Sequence, residues 1–178
     1  MKKITKKNYK KIGILGGTFD PPHIGHLNIS NLGLKKFKLD KIVWIITKKN
    51  PLKDAPYLSI KVRIKLSKYI NKSKKKTFVK YLDENVKAVD TFSLLSYFKK
   101  KNKKTKLFFL LGADNFVNLH KWKNWKRITQ VAKIVVFARP GYSTKALNSV
   151  ASKKLEKKDW IYINSSKSNI SSSLIRKF

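Results

Sequence analysis

The chain has 178 residues, no cysteine and a formal net charge of +34. That length suits one domain with a real core. The missing cysteines exclude a disulfide framework and any thiolate metal site, and no apolar run approaches the roughly 18–20 residues that cross a bilayer. All but four of the 43 basic residues are lysine, and they are spread along the whole chain. That distribution reads as a solvated surface rather than as a dedicated nucleic-acid groove. In such a background the four arginines, Arg63, Arg127, Arg139 and Arg176, mark places that use a planar fork of donors. The expectation is a single cytoplasmic domain, residues 1–178, with residues 1–10 as a basic lead-in and no signal-peptide core before the first glycine turn.

In chain order, IGIL (12–15) reads as a first strand ending in a glycine turn, followed by a helix IGHLNISNLGLKKF. In that helix Ile24, Leu27, Leu34 and Phe37 can share one face. IVWII (42–46) is a second strand, the loop TKKNPLKDAPY follows, and LSIKVRIKLSKYI is a second amphipathic stretch. TFVKYLD (77–83) is a third strand and VDTFSLLSYFKK a third helix. LFFLL (107–111) runs into GADNFVNLHKWKNWKRI, and IVVF (134–137) runs into the turn ARPGY. KALNSVASKKLEKKD (145–159) is helix plus loop, and IYI (161–163) is a last strand. Continuous apolar strands separated by helices predict a mostly parallel, doubly wound α/β sheet covered on both faces. Ligands of such a sheet sit beyond the C-terminal ends of its strands.

The segment GGTFDPPHIGH after the first strand carries two of the three histidines. A strand, a glycine pair and a helix start make a phosphate-binding arrangement, because small residues admit the anion and the first helical amides face it. Neither a P-loop nor a GxGxxG fingerprint is present. His23 and His26 stand three apart, so at the first turn of a helix both imidazoles can address one object. Gly25 between them keeps that approach open, and Pro21 and Pro22 stiffen the entry. With no cysteine and with His120 far along the chain, a dedicated metal site is not expected.

These residues resemble a known pattern. GGTFDPPHIGH is similar to the GxFxPxHxGH signature of the HxGH nucleotidyltransferase superfamily, and ISSSLIR (170–176) is similar to its second signature, ISSTxIR. LGADNFVNLHKWKNW (111–125), KNPLK (49–53), DTFSLL (90–95) and FARPGY (137–142) resemble segments of the bacterial nicotinate-mononucleotide adenylyltransferases. The resemblance spans residues 11 to 177 and implies a Rossmann-like nucleotidyltransferase fold. The activity it implies joins ATP to nicotinate mononucleotide, giving nicotinate adenine dinucleotide and pyrophosphate in NAD biosynthesis. Mg²⁺ is expected to arrive with ATP, held mainly by phosphates and water.

Residue by residue, the resemblance implies that His23, His26 and Arg176 serve catalysis at the ATP phosphates. It gives Gly16, Gly17, Thr18, Phe19, Gly25 and Lys53 to ATP binding, with Gly112 and Asp114 near a ribose. It adds Ser171, Ser172, Ser173 and Ile175 as a second anion cradle. It assigns Asn50, Thr91, Trp122, Lys123 and Arg139 to nicotinate mononucleotide, Trp122 stacking on the pyridine ring. Lys87 and Ala88 depart from the family's Tyr-Thr, which keeps a nicotinamide-mononucleotide or dual-specificity enzyme as the alternative. Phosphopantetheine adenylyltransferase and a basic nucleic-acid-binding protein are the other readings. No membrane or specific nucleic-acid partner is expected, and an oligomer is compatible with the sequence.

Overall fold

The apolar bursts become six parallel strands in one sheet. The computed structural model describes residues 10–50, 52–82, 90–164 and 172–175; residues 1–9 of the basic lead-in lie outside them. The strands are β1 Lys11–Gly17, β2 Lys41–Ile46, β3 Thr77–Tyr81, β4 Lys106–Gly112, β5 Lys133–Phe137 and β6 Trp160–Ile163. Their order across the sheet is β3-β2-β1-β4-β5-β6. Every neighbouring pair runs parallel. This is the doubly wound order, whose direction of winding reverses between β1 and β4.

Between the strands run α1 Ile24–Phe37, α2 Ile60–Ile70, α3 Thr91–Lys101, α4 Ala113–Val117, α5 Ser143–Leu147 and α6 Val150–Lys154, with α7 Ser172–Ile175 after β6. Side-chain alternation divides the core into two. Ile42, Trp44, Ile46, Phe108, Leu110 and Val135 face the layer of α1 and α2. Ile12, Ile14, Val43, Ile45, Phe109 and Val136 face the layer of α3 to α6. Both faces are thus sealed, so the central strands carry apolar residues on consecutive positions.

Helix α1 lies close to the sheet because of two small residues. A Cβ on Gly13 would fall 2.8 Å from Leu39 Cδ1, and one on Gly33 would fall 3.1 Å from Leu110 Cδ1. One point of this layer differs from the sequence expectation: Ile24 is exposed rather than sharing the buried face with Leu27. Helix α2 is amphipathic as its spacing predicts, with Ile60, Ile64 and Ile70 packed part-buried against this layer, while its fully buried positions are Arg63 and Ser67.

GADNFVNLHKWKNWKRI does not form one helix. It breaks into the five-residue α4 and two 3₁₀ segments, Leu119–Lys121 and Trp125–Gln130. Asn124 between the last two takes a left-handed φ of 56°, a conformation asparagine tolerates better than most residues. Among the described residues no helix is long and apolar enough to cross a membrane.

Candidate active site

The site is built first by the turn after β1. Phe19 takes φ 50°, which folds its ring back into the core, where it is 1% exposed and stacks on Trp44 at 4.8 Å. The next residues bring the chain to His23, the N-cap of α1. His23 Nδ1 accepts the Gly25 N–H at 3.2 Å, and His26 Nδ1 accepts the His23 N–H at 3.2 Å. This is a capping box made of imidazoles instead of the usual serine and glutamate.

The capping fixes the chemistry of both rings. An Nδ1 that accepts a backbone N–H carries no proton, so each neutral ring holds its proton on Nε2. Burial, aided by the Arg139 guanidinium and opposed by Asp114, lowers the His23 pKa from 6.5 to about 4. Burial, then His23 and Arg139, hold His26 well below 6.5. The rings lie 3.9 Å apart, and Phe19 sits 4.7 Å from His26. The pair therefore presents two neutral Nε2–H donors at the positive end of the α1 dipole, without the repulsion two imidazolium ions would bring.

Both rings line a cavity of about 740 Å³ over the C-terminal ends of β1 and β4, where the winding reverses and such folds take ligands. That volume is in the range of small-molecule sites. Gly16, Gly17, Thr18 and Phe19 form its floor with Gly25. Asn50 and Lys53, from the loop after β2, form one wall. Gly112, Asp114 and Arg139 form another.

Asp114 and Arg139 each follow a strand by two residues. Because Gly112 pairs with Phe137 in the β4–β5 register, the two side chains meet, and Arg139 Nη1 donates to Asp114 Oδ2. Asp114 Oδ1 is buried and takes no hydrogen bond among the described residues. A Cβ on residue 112 would come 2.6 Å from that oxygen, so any side chain there would push the carboxylate out of this position.

The C-terminal segment also reaches the cavity. Ser172 lines it and donates its hydroxyl to the Pro21 carbonyl at 2.8 Å, although the two residues are 151 positions apart. Ile175 ends α7 exposed and is not among the lining residues. Ser171 and Arg176 lie outside the described residues, as do the side chain of Ser173 and the Lys87–Ala88 pair.

Three residues assigned to the acceptor do not line the cavity: Thr91, Trp122 and Lys123. Thr91 opens α3, capped by Asp90, whose carboxylate accepts the Ser93 N–H at 2.8 Å. Trp122 is half-buried against the core on the α3 side, its ring 6.3 Å from Phe109. Lys123 beside it is exposed.

Comparison with known proteins is consistent with this geometry. The cytidylyltransferase-like family model matches residues 14–178. The chain belongs to that family. A probable nicotinate-nucleotide adenylyltransferase of Pelagibacter ubique is 45% identical over 167 residues, 94% of this chain and 92% of its own length. One of Clostridium tetani is 36% identical over 172 residues, covering 94% and 86%. Plasmodium falciparum nicotinic acid mononucleotide adenylyltransferase, solved with NaAD, superposes with a TM-score of 0.78 at 24% identity, covering 96% of this chain and 84% of its own. Within the cytidylyltransferase-like family, both of these bacterial relatives are named probable nicotinate-nucleotide adenylyltransferases.

Two further residues of this cytidylyltransferase-like site are not assigned a role by the sequence motifs. Asp20, 4% exposed, accepts the Tyr57 and Leu58 amides at 2.7 and 2.8 Å. Arg63, 2% exposed, donates to four loop carbonyls. The scarcity of arginine was the one signal for the second; their partners are backbone atoms, which no sequence pattern names.

Proposed function

We infer that this chain is a nicotinate-nucleotide adenylyltransferase, joining MgATP and nicotinate mononucleotide to nicotinate adenine dinucleotide and pyrophosphate. In this reaction a 5′-phosphate oxygen of the mononucleotide attacks the α-phosphorus of ATP. A new P–O bond forms as the bond to the pyrophosphate oxygen breaks. The nucleophile is already an anion, so no general base is needed, and catalysis rests on alignment and charge stabilisation. The observation that carries the reading is the imidazole pair, desolvated, neutral and fixed with Nε2–H as donor on a helix N-terminus.

In this reading His23 and His26 donate to the ATP phosphates, and Gly16 to Phe19 and Gly25 admit them. Lys53, Ser172 and, from the second signature, Ser171, Ser173 and Arg176 add donors around the pyrophosphate; Ile175 belongs to the same segment. The unpaired Asp114 Oδ1 supports an assignment to a ribose hydroxyl beside Gly112. Arg139 keeps further N–H groups for the mononucleotide phosphate, with Asn50 nearby. Thr91, Trp122 and Lys123 remain the proposed seat of the pyridine ring. Mg²⁺ would arrive with the triphosphate and offset its charge, and among the described residues no cluster of three or more carboxylates or imidazoles is gathered to hold a cation alone. A cysteine-free chain using ATP fits the reducing cytoplasm.

Pyrophosphate release tests the proposal. The purified protein with MgATP should release it only when a pyridine mononucleotide is added, and His26→Ala should lower the rate by about 10²–10³, the usual cost of one transition-state donor. Turnover with phosphopantetheine and none with either pyridine nucleotide would reject it. The departure at Lys87 and Ala88 favours comparing the acid and amide substrates side by side; a ratio near one would make the enzyme dual-specific.

A further inference from the structure

A second, hidden pair of charges holds the site together. Arg63 comes from the first turn of α2, yet its guanidinium reaches three chain segments. Nε donates to the Leu58 carbonyl at 3.0 Å. Nη1 donates to the Thr18 carbonyl at 2.7 Å and to the Thr47 carbonyl at 2.8 Å, and Nη2 donates to the Lys48 carbonyl at 3.1 Å. Thr18 belongs to the glycine turn of the phosphate floor. Thr47, Lys48 and Leu58 open and close the loop that carries Asn50 and Lys53.

Asp20 completes the arrangement from the other side. It accepts the Tyr57 and Leu58 amides, so the Leu58 residue is gripped at its N–H by the turn after β1 and at its carbonyl by α2. Asp20 stands three residues before His23. A path of three backbone residues and two hydrogen bonds therefore runs from His23, through Asp20, to the end of the loop bearing Lys53, and Arg63 closes it. An arginine suits this task because its planar fork points N–H groups in several fixed directions. A lysine has one nitrogen and cannot serve four carbonyls spread over three segments. In a chain where lysine is the default cation, that requirement accounts for an arginine at position 63.

We propose that Arg63 and Asp20 are positioning residues for the transfer reaction: they hold Asn50 and Lys53 at a fixed place opposite His23 and His26. The inference rests on the functional reading above and adds to it the element that sets the spacing of the two halves of the phosphate site. Arg63 does not line the cavity; Asp20 does, with both carboxylate oxygens engaged by the two loop amides.

The test is Arg63→Lys in the full chain, read in two ways. Without substrate, amide hydrogen exchange at Tyr57 and Leu58 should accelerate at least tenfold, while amides of β1 and β4 keep their protection. With MgATP and nicotinate mononucleotide, at a temperature where circular dichroism shows the variant folded, kcat/KM should fall about 10- to 100-fold, as misplacement of a donor by about 1 Å would produce. Lys53→Ala should cost far less in the Arg63→Lys background than in the wild type, because the two act through one loop. Ile134→Ala, a truncation in the core far from the loop, should lower the melting temperature yet leave loop exchange and kcat/KM unchanged.

Unaltered exchange at Tyr57 and Leu58 would overturn the proposal. So would faster exchange with wild-type kinetics, or strict additivity with Lys53→Ala, since each would reduce Arg63 to a stability role. Should Arg63→Lys fail to fold, Asp20→Asn, which removes one of the two accepted amides, takes the same measurements with the same expectations. If the wild type transfers no nucleotidyl group to any acceptor, the functional reading fails. Exchange at Tyr57 and Leu58 then still decides whether the clamp exists.

Discussion

Replacing Ser30 by alanine probes how His26 is held from behind. Trp44 is fully buried, and its indole N–H donates to Ser30 Oγ at 2.8 Å. Ser30, itself 1% exposed, passes a hydrogen bond to the His26 carbonyl at 2.9 Å. Alanine improves helix propensity by about 0.5 kcal/mol, but it strands the indole N–H in an apolar layer at about 1–3 kcal/mol. The net loss is about 0.5–2.5 kcal/mol. With an unfolding entropy of about 2.1 cal/mol/K per residue, a 178-residue chain should melt roughly 1–7 °C lower. The assay is thermal unfolding of the wild type, Ser30→Ala, Trp44→Phe and the double variant. The double variant should lose about 1 kcal/mol less than the sum of the singles, because removing both partners leaves no orphan donor. Rates should change less than about tenfold, since the His26 ring keeps its own bond to the His23 amide. A melting point within 1 °C of the wild type, with strict additivity, would refute the reasoning.

Three further outcomes follow. Because both imidazoles act neutral, kcat/KM should be flat between pH 6.5 and 8, whereas a required imidazolium would make it fall tenfold per unit above 6.5. Stability carries the opposite sign: the unfolded histidines take protons below 6.5 while the native ones resist until about 4 for His23, so denaturant midpoints should drop as pH falls through that window. Asp114→Asn releases Arg139 and weakens the ribose acceptor; kcat/KM for ATP should fall about 10- to 100-fold, the value of a hydrogen bond to a charged group, in steady-state assays that vary ATP at saturating mononucleotide. Gly33→Val drives a side chain into Leu110 and should cost about 1–3 kcal/mol in urea unfolding, as overpacking does.

The six strands were legible because each is an apolar run bounded by polar or turn residues, and the doubly wound order follows once their connections are helical. The imidazole pair was legible for a different reason: its partners lie within three residues, so local sequence contains the whole geometry. Where partners are distant, legibility ends. The Asp114–Arg139 contact depends on the β4–β5 register, which no motif states. Arg63 binds carbonyls, which every residue possesses. Trp122 shows a further limit: an aromatic residue reads alike whether its face meets a ligand or the core, and here Phe109 takes part of it. The segment after β4 broke into short turns because Asn118 and Asn124 interrupt its helical spacing.

The most direct measurement is a crystal structure with a non-hydrolysable ATP analogue and Mg²⁺. Phosphate oxygens should lie within about 3 Å of Nε2 of both His23 and His26, with Nδ1 of each still accepting its backbone amide and Ser172 facing the same triphosphate. An analogue bound elsewhere, or rings turned so that Nδ1 meets the phosphate, would contradict the proposed role of the imidazole pair.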